Sequence, residues 1–163
     1  MNSKSTHNSS QSGDVLQSDL LLQTALKNYA TAFEKLTPDS LHLELAPLFA
    51  DRVFFKDPFN QVTGKSAVVA VFEHMFQTLG TPQFTVKHFA LAQQTGYLHW
   101  EFEFSLPKQT ARKNIAGLSQ VALNSAGLVE QHIDYWDAAE HVYSKVPLLS
   151  WGIRQVAKRL TAT

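Results

Sequence analysis

Tyr97-Leu98-His99-Trp100-Glu101-Phe102-Glu103-Phe104-Ser105-Leu106 alternates strictly between apolar and polar side chains. Successive residues of a strand point to opposite faces. Leu98, Trp100, Phe102, Phe104 and Leu106 therefore share one face, and Tyr97, His99, Glu101, Glu103 and Ser105 the other. The same period of two runs outward on both sides. Residues 83–93 predict a preceding strand, with Gln93-Gln94-Thr95-Gly96 as the hairpin connection. Residues 113–123 and 128–137 predict two more, joined by Asn124-Ser125-Ala126-Gly127. The second half of the chain thus reads as a long antiparallel meander.

Upstream the period changes to about 3.6. Leu22, Leu26, Tyr29, Phe33 and Leu36 predict an amphipathic helix over 19–36. Thr37-Pro38 reads as N-cap and first residue of a second helix, lined by Leu41, Leu45 and Leu48 and ended or bent near Pro47. Residues 52–57 predict a short strand stopped by Pro58, and a turn through Asn60 and Gly64 leads to a third helix over 65–79. Its buried stripe is Val68, Val71, Phe72, Met75, Phe76 and Leu79. Helices followed by a meander imply an α+β fold, with the helices covering one face of a curved sheet. A further helical pattern over 138–161, interrupted by Pro147, is basic and amphipathic.

The chain has 163 residues, which suits one domain. Residues 1–13 are rich in Ser, Asn and Gln and predict a disordered tail; 14–137 form the domain and 138–163 its helical extension. Fourteen basic side chains balance 14 acidic ones, which argues against general nucleic-acid binding. With no Cys there is no disulfide, thiolate metal site or cysteine nucleophile. Neither a secretory leader nor a membrane span is legible, so a cytoplasmic location is expected. Eleven Phe predict a large aromatic core, an apolar pocket, or both.

Three places can carry chemistry. Asp57, at a strand end among aromatic residues, is a candidate general base, although Asp-Pro is also a common chain-reversal pair. Tyr29, in register with the buried stripe of the first helix, either donates to a developing oxyanion or is a core tyrosine. In His132-Ile133-Asp134-Tyr135-Trp136, the residues His132, Asp134 and Trp136 share a strand face; they offer an acid–base pair beside an indole wall, or lie on a solvated face. No third ligand is placed for a metal, so none is expected. The absence of a Gly-rich phosphate loop leaves no cofactor implied.

Helix with Tyr, helix, strand ending in Asp-Pro, helix and long meander together resemble the nuclear-transport-factor-2-like superfamily, which includes ketosteroid isomerase and the SnoaL-like polyketide cyclases. The likeness spans about residues 18–137. It implies a cone-shaped α+β barrel around one cavity. Leu48 to Pro58 is similar to the isomerase segment carrying the general-base Asp, so Asp57 takes that role and Tyr29 that of the oxyanion-hole Tyr. Ser119 stands where the isomerase has a second, protonated Asp. A carboxylate at Asp134 looks more like the acid/base Asp of SnoaL-like cyclases. Asp134 to Asp137 also resembles the last strand of limonene epoxide hydrolase, but the Arg-x-Asp unit of that enzyme is missing.

The resemblance therefore implies a pocket with Asp57, Asp134, His132 and Tyr29 as catalytic groups. Phe55, Phe72, Phe76, Trp100, Phe102, Ser119 and Trp136 would contact a small hydrophobic ligand. The function expected is isomerase or cyclase chemistry on a carbonyl compound, with a non-catalytic ligand-binding or dimeric association module as the alternative. A homodimer through the outer sheet face is the implied partner. The segment 138–161 is expected to pack on its own domain in preference to lying on a membrane surface.

Overall fold

The periodicities translate directly into elements. The computed structural model describes residues 7–107 and 111–141, with side chains from residue 16 onward. Helix α1 spans His7–Glu34 and buries the predicted stripe: Leu22, Leu26, Tyr29 and Phe33, and Leu36 just past its end, are all below a tenth exposed. Its backbone is helical from His7, earlier than the apolar pattern indicates. The first turns carry no apolar stripe, which is why periodicity missed them. Thr37 then caps α2 (Pro38–Ser40) in a reciprocal capping box: Ser40 N donates to Thr37 Oγ1 at 3.1 Å, and Thr37 N to Ser40 Oγ at 2.8 Å. The expected second helix continues as a wide turn over Leu41–Leu45 and a tight one over Ala46–Leu48, with Pro47 in the first turn of the latter. Proline suits that first turn because the missing N–H has no partner there.

Strand β1 (Phe49–Lys56) starts three residues before the expected 52–57 and is followed by β2 (Gln61–Thr63), which the sequence reading left as a turn. Helix α3 is Lys65–Thr78. The meander comprises β3 (Gly80–Ala92), β4 (Thr95–Ser105), β5 (Arg112–Leu123) and β6 (Val129–Tyr135), and α4 (Ala138–His141) follows. Gly127, at φ +78°, closes the β5–β6 turn in a conformation that side chains disfavour.

The six strands form one curved, unclosed sheet in the order β2-β1-β6-β5-β4-β3. All neighbours are antiparallel except β1 and β6, which run parallel with Phe55 opposite His132. That single long-range pairing brings the Asp57 strand end beside the Asp134 strand. Helix α1 packs on β3, and α3 on β1 and β3. Glu34, at the end of α1, accepts from Val86 N at 3.1 Å, where the β3–β4 register shifts. The inner sheet face, α1 and α3 enclose one aromatic core, and the alternation of 97–106 sets its floor: Leu98, Trp100 and Phe104 are buried.

Among the described residues no helix is long and apolar enough to cross a membrane. The expected helical extension lies outside the described residues beyond His141, and with it the segment considered for membrane contact.

Candidate functional site

Strand parity places Ser119 on the inner face of β5 and His132 and Asp134 on that of β6, with Ser119 directly opposite Asp134. These residues form a continuous hydrogen-bonded chain. Trp100 Nε1 donates to Ser119 Oγ at 2.8 Å, and the Ser119 hydroxyl donates to Asp134 Oδ1 at 2.5 Å. His132 Nε2 lies 2.7 Å from the same Oδ1, and His132 Nδ1 lies 2.7 Å from the Tyr29 hydroxyl. His132 has no exposure to solvent. Its ring is sandwiched between Phe33 and Phe55, at centroid distances of 5.4 and 5.2 Å.

Burial, and secondarily the negative charge of Asp134, push the Tyr29 phenol well above its ordinary range, so Tyr29 keeps its proton. With that proton donated to Nδ1, the imidazole carries its own on Nε2, facing the carboxylate. Both bonds to Asp134 fall on Oδ1. Among the described residues Oδ2 accepts none, and the side chain is 15% exposed.

Asp134 lines a cavity of about 470 Å³, a size that suits a small molecule. Of the expected contact residues, Phe55, Phe72, Trp100, Phe102 and Trp136 line it. Phe76 and Ser119 do not. Phe76 packs against the core, and Ser119, 2% exposed, is consumed between Trp100 and Asp134. Tyr29 is 1% exposed and absent from the cavity wall, and its hydroxyl meets His132, an arrangement that orients the imidazole. His132 likewise lies behind the wall.

Asp57 lines the cavity and also makes the chain reversal of its second reading. Its Oδ1 accepts from Phe59 N and Asn60 N, each at 2.6 Å, and the Asn60 amide donates to Oδ1 at 3.1 Å and to Oδ2 at 2.9 Å. The carboxylate therefore organises the loop that turns β1 into β2. Asp57, Asp134 and Trp136 also share a shallower depression at the C-terminal ends of β1 and β6, so the two carboxylates are brought to one locality.

Lys113 and Asn60 also line the cavity, and the sequence reading missed both. Lys113 is in phase with Ile115 and Ser119 on β5, which was the available signal. Asn60 carried none, because its place depends on the Asp57 turn. Among the described residues no group of three or more His, Asp or Glu side chains could hold a metal ion.

A six-stranded curved sheet cupped by helices over an aromatic cavity defines the cone-shaped α+β class. The SnoaL-like domain family model matches residues 26–132, more than half of the chain, and the chain belongs to that family. No curated protein matches the sequence significantly. Solved structures confirm the fold at low identity. A protein of unknown function from Burkholderia pseudomallei K96243 with a nuclear-transport-factor-2-like fold is 12% identical at TM-score 0.64, covering 74% of this chain and 93% of its own. A putative SnoaL-like polyketide cyclase from Shewanella putrefaciens CN-32 is 15% identical at TM-score 0.62, covering 78% and 96%. A limonene-epoxide-hydrolase-like epoxide hydrolase from M. tuberculosis is 10% identical at TM-score 0.60, covering 83% and 97%.

Proposed function

We propose that this SnoaL-like domain binds a small hydrophobic carbonyl compound in its aromatic cavity and moves a proton on it, as an isomerase or cyclase does, with Asp134 as the acid–base group. One observation carries the reading: Asp134 lines the cavity and is held through Oδ1 by His132 and Ser119, while among the described residues its Oδ2 accepts no hydrogen bond. A carboxylate fixed on one oxygen is oriented without being fully occupied, which proton transfer requires. Asp57 is the weaker candidate, because its own loop donates to both of its oxygens.

In this scheme Oδ2 takes the proton from the carbon next to the substrate carbonyl. The C–H electron pair becomes the enolate double bond, and the carbonyl oxygen takes up the negative charge. Returning the proton at another carbon gives an isomer. Attack of the enolate carbon on a second carbonyl, followed by protonation of the new alkoxide by Asp134, gives a ring. Trp136, beside Asp134 on the cavity wall, is the donor assigned to the enolate oxygen in place of Tyr29. Tyr29 fixes the His132 tautomer, and His132 fixes Asp134.

The test is deuterium incorporation from D₂O into a panel of apolar ketones and diketones, followed by mass spectrometry. Asp134→Asn should slow exchange of any responsive compound at least about 100-fold. Undiminished exchange in that variant would sink the mechanism.

A second reading, association without catalysis, rests on the outer sheet face. Leu118 lies opposite both His99 and Tyr135, and Tyr97, Leu118 and Tyr135 are 38%, 38% and 52% exposed. A second copy of this chain is the occupant that this face would take. Light scattering should then give a dimer that Leu118→Lys dissociates; a monomer at all concentrations refutes it.

A further inference from the structure

The cavity has a chemical polarity that the proposed chemistry does not use. Its acidic lining residues are Asp57 and Asp134, both at the Trp136 end, whereas Lys113, His74 and His141 are its basic ones. Along the inner face of β5, Lys113 precedes Ile115, Gly117 and Ser119, and Ser119 bonds Asp134. Six residues of strand separate the Cα atoms of Lys113 and Ser119 by about 20 Å. Lys113 pairs with Phe104, near Leu106 and the end of α3, on the far side of the aromatic wall from Asp134.

Lys113 also differs from other partly buried or strand cations of the fold. Arg112, next to it on β5, binds Glu103 at 3.1 Å, and elsewhere Lys87 binds Glu101 at 3.0 Å and Lys65 lies 3.4 Å from Asp51. Lys113 is half-buried in an apolar wall, and no ion pair forms to it among the described residues. An ammonium group so placed gains most from an anion delivered into the cavity.

We infer that the ligand of this cavity is amphipathic, an apolar body carrying an anionic group such as a carboxylate or sulfonate, and that Lys113 binds that group at the end opposite Asp134. The inference rests on the ligand-binding reading above and narrows its substrate class. The anion fixes which end of the ligand reaches Asp134, so Lys113 is a specificity-determining residue.

The test uses a matched pair of fluorescent probes, anilinonaphthalenesulfonate and its uncharged parent N-phenylnaphthylamine. Energy transfer from Trp100 and Trp136, both on the wall, marks occupancy of the cavity. The wild-type protein should prefer the sulfonate about tenfold. Lys113→Met should bring that preference close to unity while keeping affinity for the parent, and Lys113→Arg should restore it. A preference that survives Lys113→Met overturns the assignment of Lys113. Equal affinities in the wild type overturn the anionic ligand class but leave the cavity as a binding site. If neither probe binds with energy transfer, this inference and the ligand-binding reading fall together.

Discussion

Replacing Tyr29 with Phe removes one oxygen atom from a site with no access to water. The ring still packs against Phe33 and Phe49, at centroid distances of 5.1 and 5.9 Å, so the change isolates the bond to His132. Nδ1 of a fully buried imidazole is left without a partner, and such an unmade bond costs about 1–3 kcal/mol. For a chain of this size each kcal/mol lowers the melting temperature by about 2–4 °C, so a drop of about 2–12 °C is expected. Urea denaturation of the wild type, Tyr29→Phe, His132→Phe and the double variant closes a thermodynamic cycle, and a coupling above about 0.5 kcal/mol is expected from residues in contact. Coupling indistinguishable from zero would refute the hydrogen-bonded chain.

The same residue sets an alkaline limit. The Tyr29 phenol titrates well above 10.0 in the fold and near that value once unfolded. A raised pKa stabilises the native state fully below about pH 10, and the contribution is lost as pH rises through the folded value. Wild-type stability should therefore fall above about pH 10 more steeply than that of Tyr29→Phe. Absorbance titration should show one tyrosine that ionises only well above pH 10.0 and is missing from Tyr29→Phe.

Two further substitutions probe the support of the site. A Cβ at Gly117 would collide with the Trp100 ring, so Gly117→Val should destabilise by about 1–3 kcal/mol and alter the near-ultraviolet circular dichroism of that indole. Asp57→Ala strips the β1–β2 loop of the acceptor for Phe59 N, Asn60 N and the Asn60 amide; a loss of about 1–3 kcal/mol in urea denaturation is expected, with more exchange activity retained than in Asp134→Asn.

Tyr29 and Lys113 mark the boundary between what was legible in the chain and what was not. Helical spacing identified Tyr29 as buried but could not say whether its hydroxyl meets a ligand or another side chain. That depends on His132, 103 residues away, arriving at its tip. Strand phase placed Lys113 on an inner face but could not mark it as a cavity group, because the cavity exists only where the end of α3 stands off β4 and β5.

Local periodicity settled the number, kind and order of most elements, and which face of each is apolar. Those properties depend on residues two to four positions apart. The π-turned helix, strand β2 and the parallel β1–β6 pairing were not legible, because each depends on contacts across the fold. The Asp57, His132 and Asp134 motifs were visible as residue types. Only the closing of β6 between β1 and β5 buried His132 between two phenyl rings, set Asp134 against Ser119 and brought it to the cavity wall.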